Sequence, residues 1–294
     1  MPQQDPQFYS MASAFRDLSE YNRKRAAGEI VSVPTGLPFL DKNMEIEHGN
    51  LVVIAARPKS GKTSLAINMA CSQAVNDIAR PAVFSLEMSK REITRKMLAC
   101  VSGVDLGSIK HAHYSEMQQD KISDAEFKLA TSSLQLVDDT GLTLNDLYGI
   151  IGGFKVDFGT NVIYIDQLSH LSLGKGSIRE QFVRGTKGLK QMARELNVVI
   201  VLLCQVRRAD DDGHKPPRMR HLKESGSIEE DADIILMPWR PNSEGDCPII
   251  QYGGREVNMQ DKAVIYCRAY REGEIWQELV YFDGPTTTFG RCRA

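Results

Sequence analysis

The sequence predicts an α/β fold: a mostly parallel central sheet with helices on both faces and an antiparallel hairpin at its C-terminal edge. Three observations lead there. Short β-branched runs at residues 51–56, 161–166 and 198–204 are apolar almost throughout instead of alternating, which suits strands covered on both faces. Helix-period stretches separate such runs, as in successive strand-helix-strand units. The last two runs, 263–267 and 275–282, flank residues 268–274 and read as a hairpin.

Taken in order, residues 7–27 form a candidate helix with Met11, Phe15, Leu18 and Tyr21 at spacings of three and four. Arg23, Lys24 and Arg25 lie near its end and Gly28 follows it. One apolar stripe with nothing nearby to cover it points to docking on another surface. Residues 32–43, with Pro34, Gly36 and Pro38, read as a connecting loop. Strands are expected at 51–56, 82–86, 134–137, 161–166, 198–204, 233–237, 263–267 and 275–282. Helices are expected after Gly61, from near Ser89, and over 120–133, 144–154 and 180–196. The division is a linker helix and loop over 1–34 and one large domain over 35–294.

Composition narrows the functions. The chain has 294 residues, and 36 Lys and Arg against 38 Asp and Glu give a net charge of -2, so any nucleic-acid partner must be read from local patches. No apolar run approaches the roughly 20 residues of a membrane span, and no secretory signal opens the chain. No membrane partner and a cytoplasmic location are expected. Cys71, Cys100, Cys204, Cys247, Cys267 and Cys292 form no CxxC pair and have no His at ligand spacing, so no zinc site is expected, and several of them lie in apolar strands and read as buried reduced thiols.

The chemistry begins where the first strand runs into Arg57-Pro58-Lys59-Ser60-Gly61-Lys62-Thr63, a Walker A loop with Ala56 where the pattern usually opens with Gly. Backbone N–H groups of such a loop wrap phosphate and the next helix adds its positive end. Lys62 would reach the β and γ phosphates, and the Thr63 oxygen would take Mg²⁺. The triplet alone is common, but here it stands between an apolar strand and an amphipathic helix carrying Leu65, Ile67, Met69 and Ala70. Arg57, Pro58, Lys59, Ser60, Gly61, Lys62, Thr63 and Ser64 are therefore the candidate ATP-binding residues. Val162-Ile163-Tyr164-Ile165-Asp166 supplies a Walker B acid as the second Mg²⁺ residue, Asp166. Glu87, after the second strand, is either the base that activates water or a helix N-terminal charge. It would lie beside the phosphate loop if the first two strands were neighbours. Gln205, at the tip of the fifth strand, is either a γ-phosphate sensor or a polar strand cap.

Together these elements resemble the C-terminal ATPase domain of the DnaB-type replicative helicases, a RecA-like P-loop NTPase fold. The resemblance rests on Ala55 through Thr63, on Ser85-Leu86-Glu87-Met88, on Ile165-Asp166-Gln167-Leu168, and most specifically on Lys223-Glu224-Ser225-Gly226-Ser227-Ile228-Glu229-Glu230-Asp231-Ala232-Asp233. It spans roughly 35–282. It implies Glu87 as catalytic base, Asp166 as Walker B acid, Gln205 as coupling glutamine, a homo-oligomeric ring of six with ATP at each interface, and single-stranded DNA in the central channel. It also implies 5′ to 3′ movement and a helicase loader as a possible partner. Three departures stand out. The family's N-terminal helical domain is not found before the phosphate loop, which reads as a phage- or prophage-like member of a bacterial family. Gln167 stands where an aromatic residue is usual, and Lys223 where Arg is usual. The family's trans-acting Lys-x-Arg corresponds to Ala269-Tyr270-Arg271, which keeps the Arg; Arg268 is a competitor for the role, and an exposed hairpin Arg can also be a plain solvated charge.

Local charge points to where DNA would go. Residues 174–190 hold Lys175, Arg179, Arg184, Lys187 and Lys190 against Glu180, a balance of +4. Residues 205–223 hold Arg207, Arg208, Lys215, Arg218, Arg220 and Lys223 against Asp210, Asp211 and Asp212, a balance of +3. Arg207, Arg208 and Lys223, with Glu224 and Gly226, are the candidate DNA contacts, tracking phosphates more than stacking bases. The alternative is a solvated charged face. Two other functions stay open, a RecA-like DNA-dependent filament ATPase and an ATP-binding adaptor ring that moves no DNA.

Overall fold

The computed structural model describes residues 9–29, 32–206, 215–222, 225–241 and 249–292. Helix α1 (Met11–Ala26) starts at a Ser10 cap and leads to α2 (Pro38–Asp41), a single turn inside the stretch expected to be loop throughout. Pro38 suits the first position of such a turn, where its missing N–H is not needed. Then come β1 (Leu51–Ala56), α3 (Lys62–Val75), β2 (Pro81–Ser85), α4 (Lys90–Ser102), α5 (Leu106–His111), α6 (Glu116–Ala130), β3 (Gln135–Val137), α7 (Leu144–Phe158), β4 (Val162–Asp166), α8 (Ile178–Glu195) and β5 (Val199–Gln205). The C-terminal part contributes α9 (Ser225–Asp231), β6 (Ile234–Trp239), β7 (Ile249–Tyr252), β8 (Arg255–Asn258), β9 (Lys262–Tyr270), β10 (Gln277–Asp283) and β11 (Thr288–Arg291).

The main sheet runs β11-β10-β9-β6-β1-β5-β4-β2-β3, parallel from β6 to β3 and antiparallel from β6 to β11. The expected α/β architecture and C-terminal antiparallel pair are present, with two corrections. Strand β11 lies outside β10 and forms the edge, and β7 and β8 make a separate two-stranded ribbon whose turn residues Gly253 and Gly254 both have positive φ. Every residue of β1, β2 and β4 is buried, because each face has its own core. Val52 and Ile54 pack with α3 residues Leu65 and Met69, while Val53 and Ala55 pack with Leu189 and Met192 of α8.

Strands β1 and β2 are not neighbours; β5 and β4 lie between them. Register still brings their ends together. Ala56 pairs with Gln205, and Ser85 with Asp166, so the ends of β1, β5, β4 and β2 share one edge of the sheet. Crevices at the carboxyl ends of parallel strands are where α/β folds bind ligands.

Candidate functional site

The turn between β1 and α3 is built for close approach. Lys59 (φ 62°) and Gly61 (φ 96°) are both left-handed, and a Cβ at Gly61 would stand 2.7 Å from Phe289 Cζ. Gly61 caps α3 and brings no side chain of its own to the first-turn N–H groups. These groups face a cleft of about 520 Å³ lined by Arg57, Lys59, Lys62, Thr63, Ser64, Glu87, Lys96, Gln205, Arg240 and Phe282, among others. That volume lies within the range of small-molecule sites.

Four polar side chains meet on its floor. Lys62 Nζ lies 2.7 Å from Asp166 Oδ1, and Thr63 Oγ1 donates to Asp166 Oδ2 at 2.7 Å. Glu87 Oε2 stands 3.9 Å from Lys62 Nζ. Although β2 is two strands removed from β1's neighbour β5, the Leu86 and Glu87 N–H groups both donate to the Asp166 carbonyl, at 2.8 and 3.1 Å, and this pins Glu87 beside Asp166. Gln205, exposed at the tip of β5, lines this cleft and also a neighbouring apolar pocket with Leu168, Leu171 and Phe182. The donor set fits a magnesium nucleotide: hard oxygens from Thr63 and Asp166 side by side, a cation at Lys62, and first-turn N–H groups for phosphate.

The two candidate arginines lie apart. Arg268 donates from Nη2 to the Pro217 carbonyl at 2.9 Å and stacks on the Tyr266 ring at 4.0 Å. Arg271, in the turn after β9, is 54% exposed in its side chain. It donates from Nη2 to the Glu230 carbonyl at 2.7 Å, with Nη1 3.7 Å from Asp233 Oδ1. Asp233 in turn accepts the N–H of Leu51, the first residue of β1. Arg271 is therefore at the opposite end of β1 from the Walker A turn, about 17 Å away at 3.3 Å per residue. It does not reach its own chain's cleft.

Of the basic segments, Arg184 and Lys190 are spoken for internally. Arg184 bonds the Leu173 and Lys175 carbonyls, and Lys190 bonds Gly49 O at 2.9 Å and Asp233 at 2.6 Å. Lys175, Arg179 and Lys187 are exposed. Arg207, Arg208, Lys223 and Glu224 lie outside the described residues; Gly226 is exposed in α9. The limb that returns from residues 207–214 is fastened by Arg57 Nη1 on the Lys215 carbonyl at 2.9 Å and by Arg268 on Pro217.

A family model, the DnaB-like helicase C terminal domain, matches residues 32–291. The chain belongs to the DnaB-like helicase C-terminal family. It is 32% identical over 264 residues to a probable plasmid replicative DNA helicase of Chlamydia muridarum, covering 89% of this chain and 55% of that one. It is 30% identical over 225 residues to the replicative DNA helicase DnaC of Bacillus subtilis, covering 75% and 49%. The chain thus spans about half the length of the curated relatives it matches. Among solved structures, an isolated ATPase domain superposes with a TM-score of 0.85 at 26% identity, over 98% of this chain and 100% of that one. A DnaB-like replicative helicase studied with primase superposes at 0.81 and 25%, over 99% and 68%. The fold is RecA-like, as these neighbours are.

In this DnaB-like domain the sequence alone missed two cations of the cleft. Lys96, on α4, lines it beside Glu87, and burial pushes its ammonium below the usual lysine range against the opposing pull of Asp166 and Glu92. Arg240, at the end of β6, stacks on Phe282 at 3.8 Å and donates to the Lys59 carbonyl at 3.3 Å. The only sequence signal for Lys96 was its place four residues after Glu92 on the helix that follows Glu87. Cys204, next to Gln205 in β5, is buried, and burial pushes its thiol up to about 12, so it stays protonated.

Proposed function

We propose that the chain is the motor domain of an ATP-driven replicative DNA helicase, working in the cytoplasm as a ring of six that moves 5′ to 3′ on single-stranded DNA. The observation that carries this reading is the meeting of Lys62, Thr63, Asp166 and Glu87 on one cleft floor in a DnaB-like domain. Relatives named as replicative helicases support it.

In this reading Lys62 holds the β and γ phosphates, and the first-turn N–H groups of α3 hold their oxygens. Thr63 and Asp166 would hold Mg²⁺, which supplies charge neutralisation at the transferred phosphoryl group. Glu87 takes the proton of the attacking water. Gln205, placed between the cleft and the apolar pocket behind it, relays the state of the γ-phosphate to the segment that follows β5. Arg271, turned away from its own cleft, completes the site of the next subunit. Single-stranded DNA lies against the basic segments after β4 and β5.

The test is ATP hydrolysis with and without oligo-dT, followed by unwinding of forks carrying a 5′ or a 3′ tail. DNA-stimulated hydrolysis and unwinding from the 5′ tail are expected. Stimulation with filaments and no unwinding would mark a RecA-like strand-exchange ATPase, and hydrolysis indifferent to DNA would mark an adaptor ring.

A further inference from the structure

Arg271 is gripped at three points by two residues, Glu230 and Asp233. Its main-chain N–H donates to the Asp233 carbonyl at 2.8 Å, its Nη2 to the Glu230 carbonyl at 2.7 Å, and its Nη1 faces Asp233 Oδ1 at 3.7 Å. The same stretch is anchored to the body of the domain. Asp231 Oδ2 accepts the hydroxyl of Thr186, a fully buried residue of α8, at 2.7 Å. Asp233 Oδ2 accepts the Leu51 N–H at 2.7 Å and the Lys190 ammonium at 2.6 Å.

Asp233 is only 7% exposed, and its two oxygens divide the work. One ties α8 and the start of β1 together; the other is left for Arg271. Two cations share this one carboxylate, and of the two it is the half-exposed guanidinium that faces solvent. A long side chain on a hairpin turn would otherwise lose rotamer freedom each time it met an anion, and a pre-set grip removes that cost from the reaction.

We propose that Asp233 is a positioning residue for Arg271, holding the guanidinium at the domain's rim in the orientation that completes a neighbouring subunit's nucleotide site. This rests on the reading of Arg271 as an arginine that acts in trans, and the test separates the two.

Asp233→Asn keeps the shape and the Leu51 hydrogen bond but removes the charge that faces Arg271. DNA-stimulated kcat should fall about tenfold or more while KM for ATP changes less than about threefold, the pattern of an interaction realised in the transition state. The deciding readout is a mixture with Glu87→Gln. In mixed rings some interfaces pair the intact cleft of an Asp233→Asn subunit with the intact Asp233 and Arg271 of a Glu87→Gln subunit. Turnover above the sum of the separate variants is expected. Arg271→Ala mixed with Glu87→Gln is the control.

If the control recovers and the Asp233→Asn mixture does not, Asp233 serves its own subunit's strand β1 and the proposal falls while the trans arginine stands. If neither recovers although subunits are shown to exchange, the trans arginine falls and the proposal with it. Unchanged kcat in Asp233→Asn also overturns it. Should Asp233→Asn not fold, the double variant Asp233→Asn with Lys190→Met replaces the buried ion pair by a neutral pair, an exchange that buried pairs tolerate. It should fold, show the same low kcat and recover in the same mixture; a double variant with normal kcat counts against the proposal.

Discussion

Lys62 and Glu87 stand 3.9 Å apart yet do different work in the proposed reaction, and substitution separates them. Lys62→Ala removes the cation at the cleft floor and leaves Asp166 facing Thr63 alone, so binding of a labelled ATP analogue should drop below detection and turnover with it. Unchanged turnover would remove the Walker A turn from the mechanism. Glu87→Gln keeps size and hydrogen-bonding capacity while losing basicity. ATP affinity should persist, and turnover should fall by about 10² to 10⁴. Parallel losses of affinity and turnover would make Glu87 a residue of the local fold. At this scale the Walker residues were legible because their spacing is local, whereas Lys96 and Arg240 reach the cleft only through the packing of α4 and the far end of β6.

Helix α1 is an element without a core. None of its residues is buried, and Met11, Phe15 and Leu18 are 67%, 60% and 52% exposed; Tyr21 and Arg25 join it to Glu47 and Glu45. Both faces of the main sheet already carry helices, so the apolar stripe is predicted to cover a second subunit. Deleting residues 1–27 should abolish the oligomer and leave a folded monomer, read by sedimentation and circular dichroism. A truncated chain that still sediments as a hexamer would refute the docking. Elements buried on both faces were legible from their apolar runs. Those that fell through were short or half-exposed: β7 (Ile249–Tyr252) and β8 (Arg255–Asn258) have four residues each around a Gly-Gly turn and none buried, and α5 has six residues and nothing buried. Strand β11 is held by a remote partner, since the Phe289 N–H donates to Asn68 Oδ1 at 2.6 Å, and no local pattern announces such a bond. Strand order was equally hidden, because Glu87 meets Lys62 through the Asp166 carbonyl and not through adjacency of β1 and β2.

Across the whole molecule a net charge of -2 repels nucleic acid at long range, so binding depends on how the basic residues are gathered. Two cations of the 174–190 segment bond within the domain, Arg184 to carbonyls and Lys190 to Asp233; the other proposed path for DNA is the segment after β5. Its returning limb is fixed to the Walker A turn through Arg57 and to β9 through Arg268, so DNA bound there would pull on the cleft directly. Replacing Arg207, Arg208 and Lys223 together with Ala should weaken single-stranded DNA binding, measured by anisotropy across a salt series, while DNA-independent hydrolysis persists. Each phosphate contact on a single strand contributes about 0.7 to the slope of log affinity against log salt, so losing three should flatten the slope by about 2. Weaker binding with the slope intact would mean that these side chains shape the loop without meeting phosphate, and unchanged binding would return the segment to a solvated face and move the DNA path to Lys175, Arg179 and Lys187.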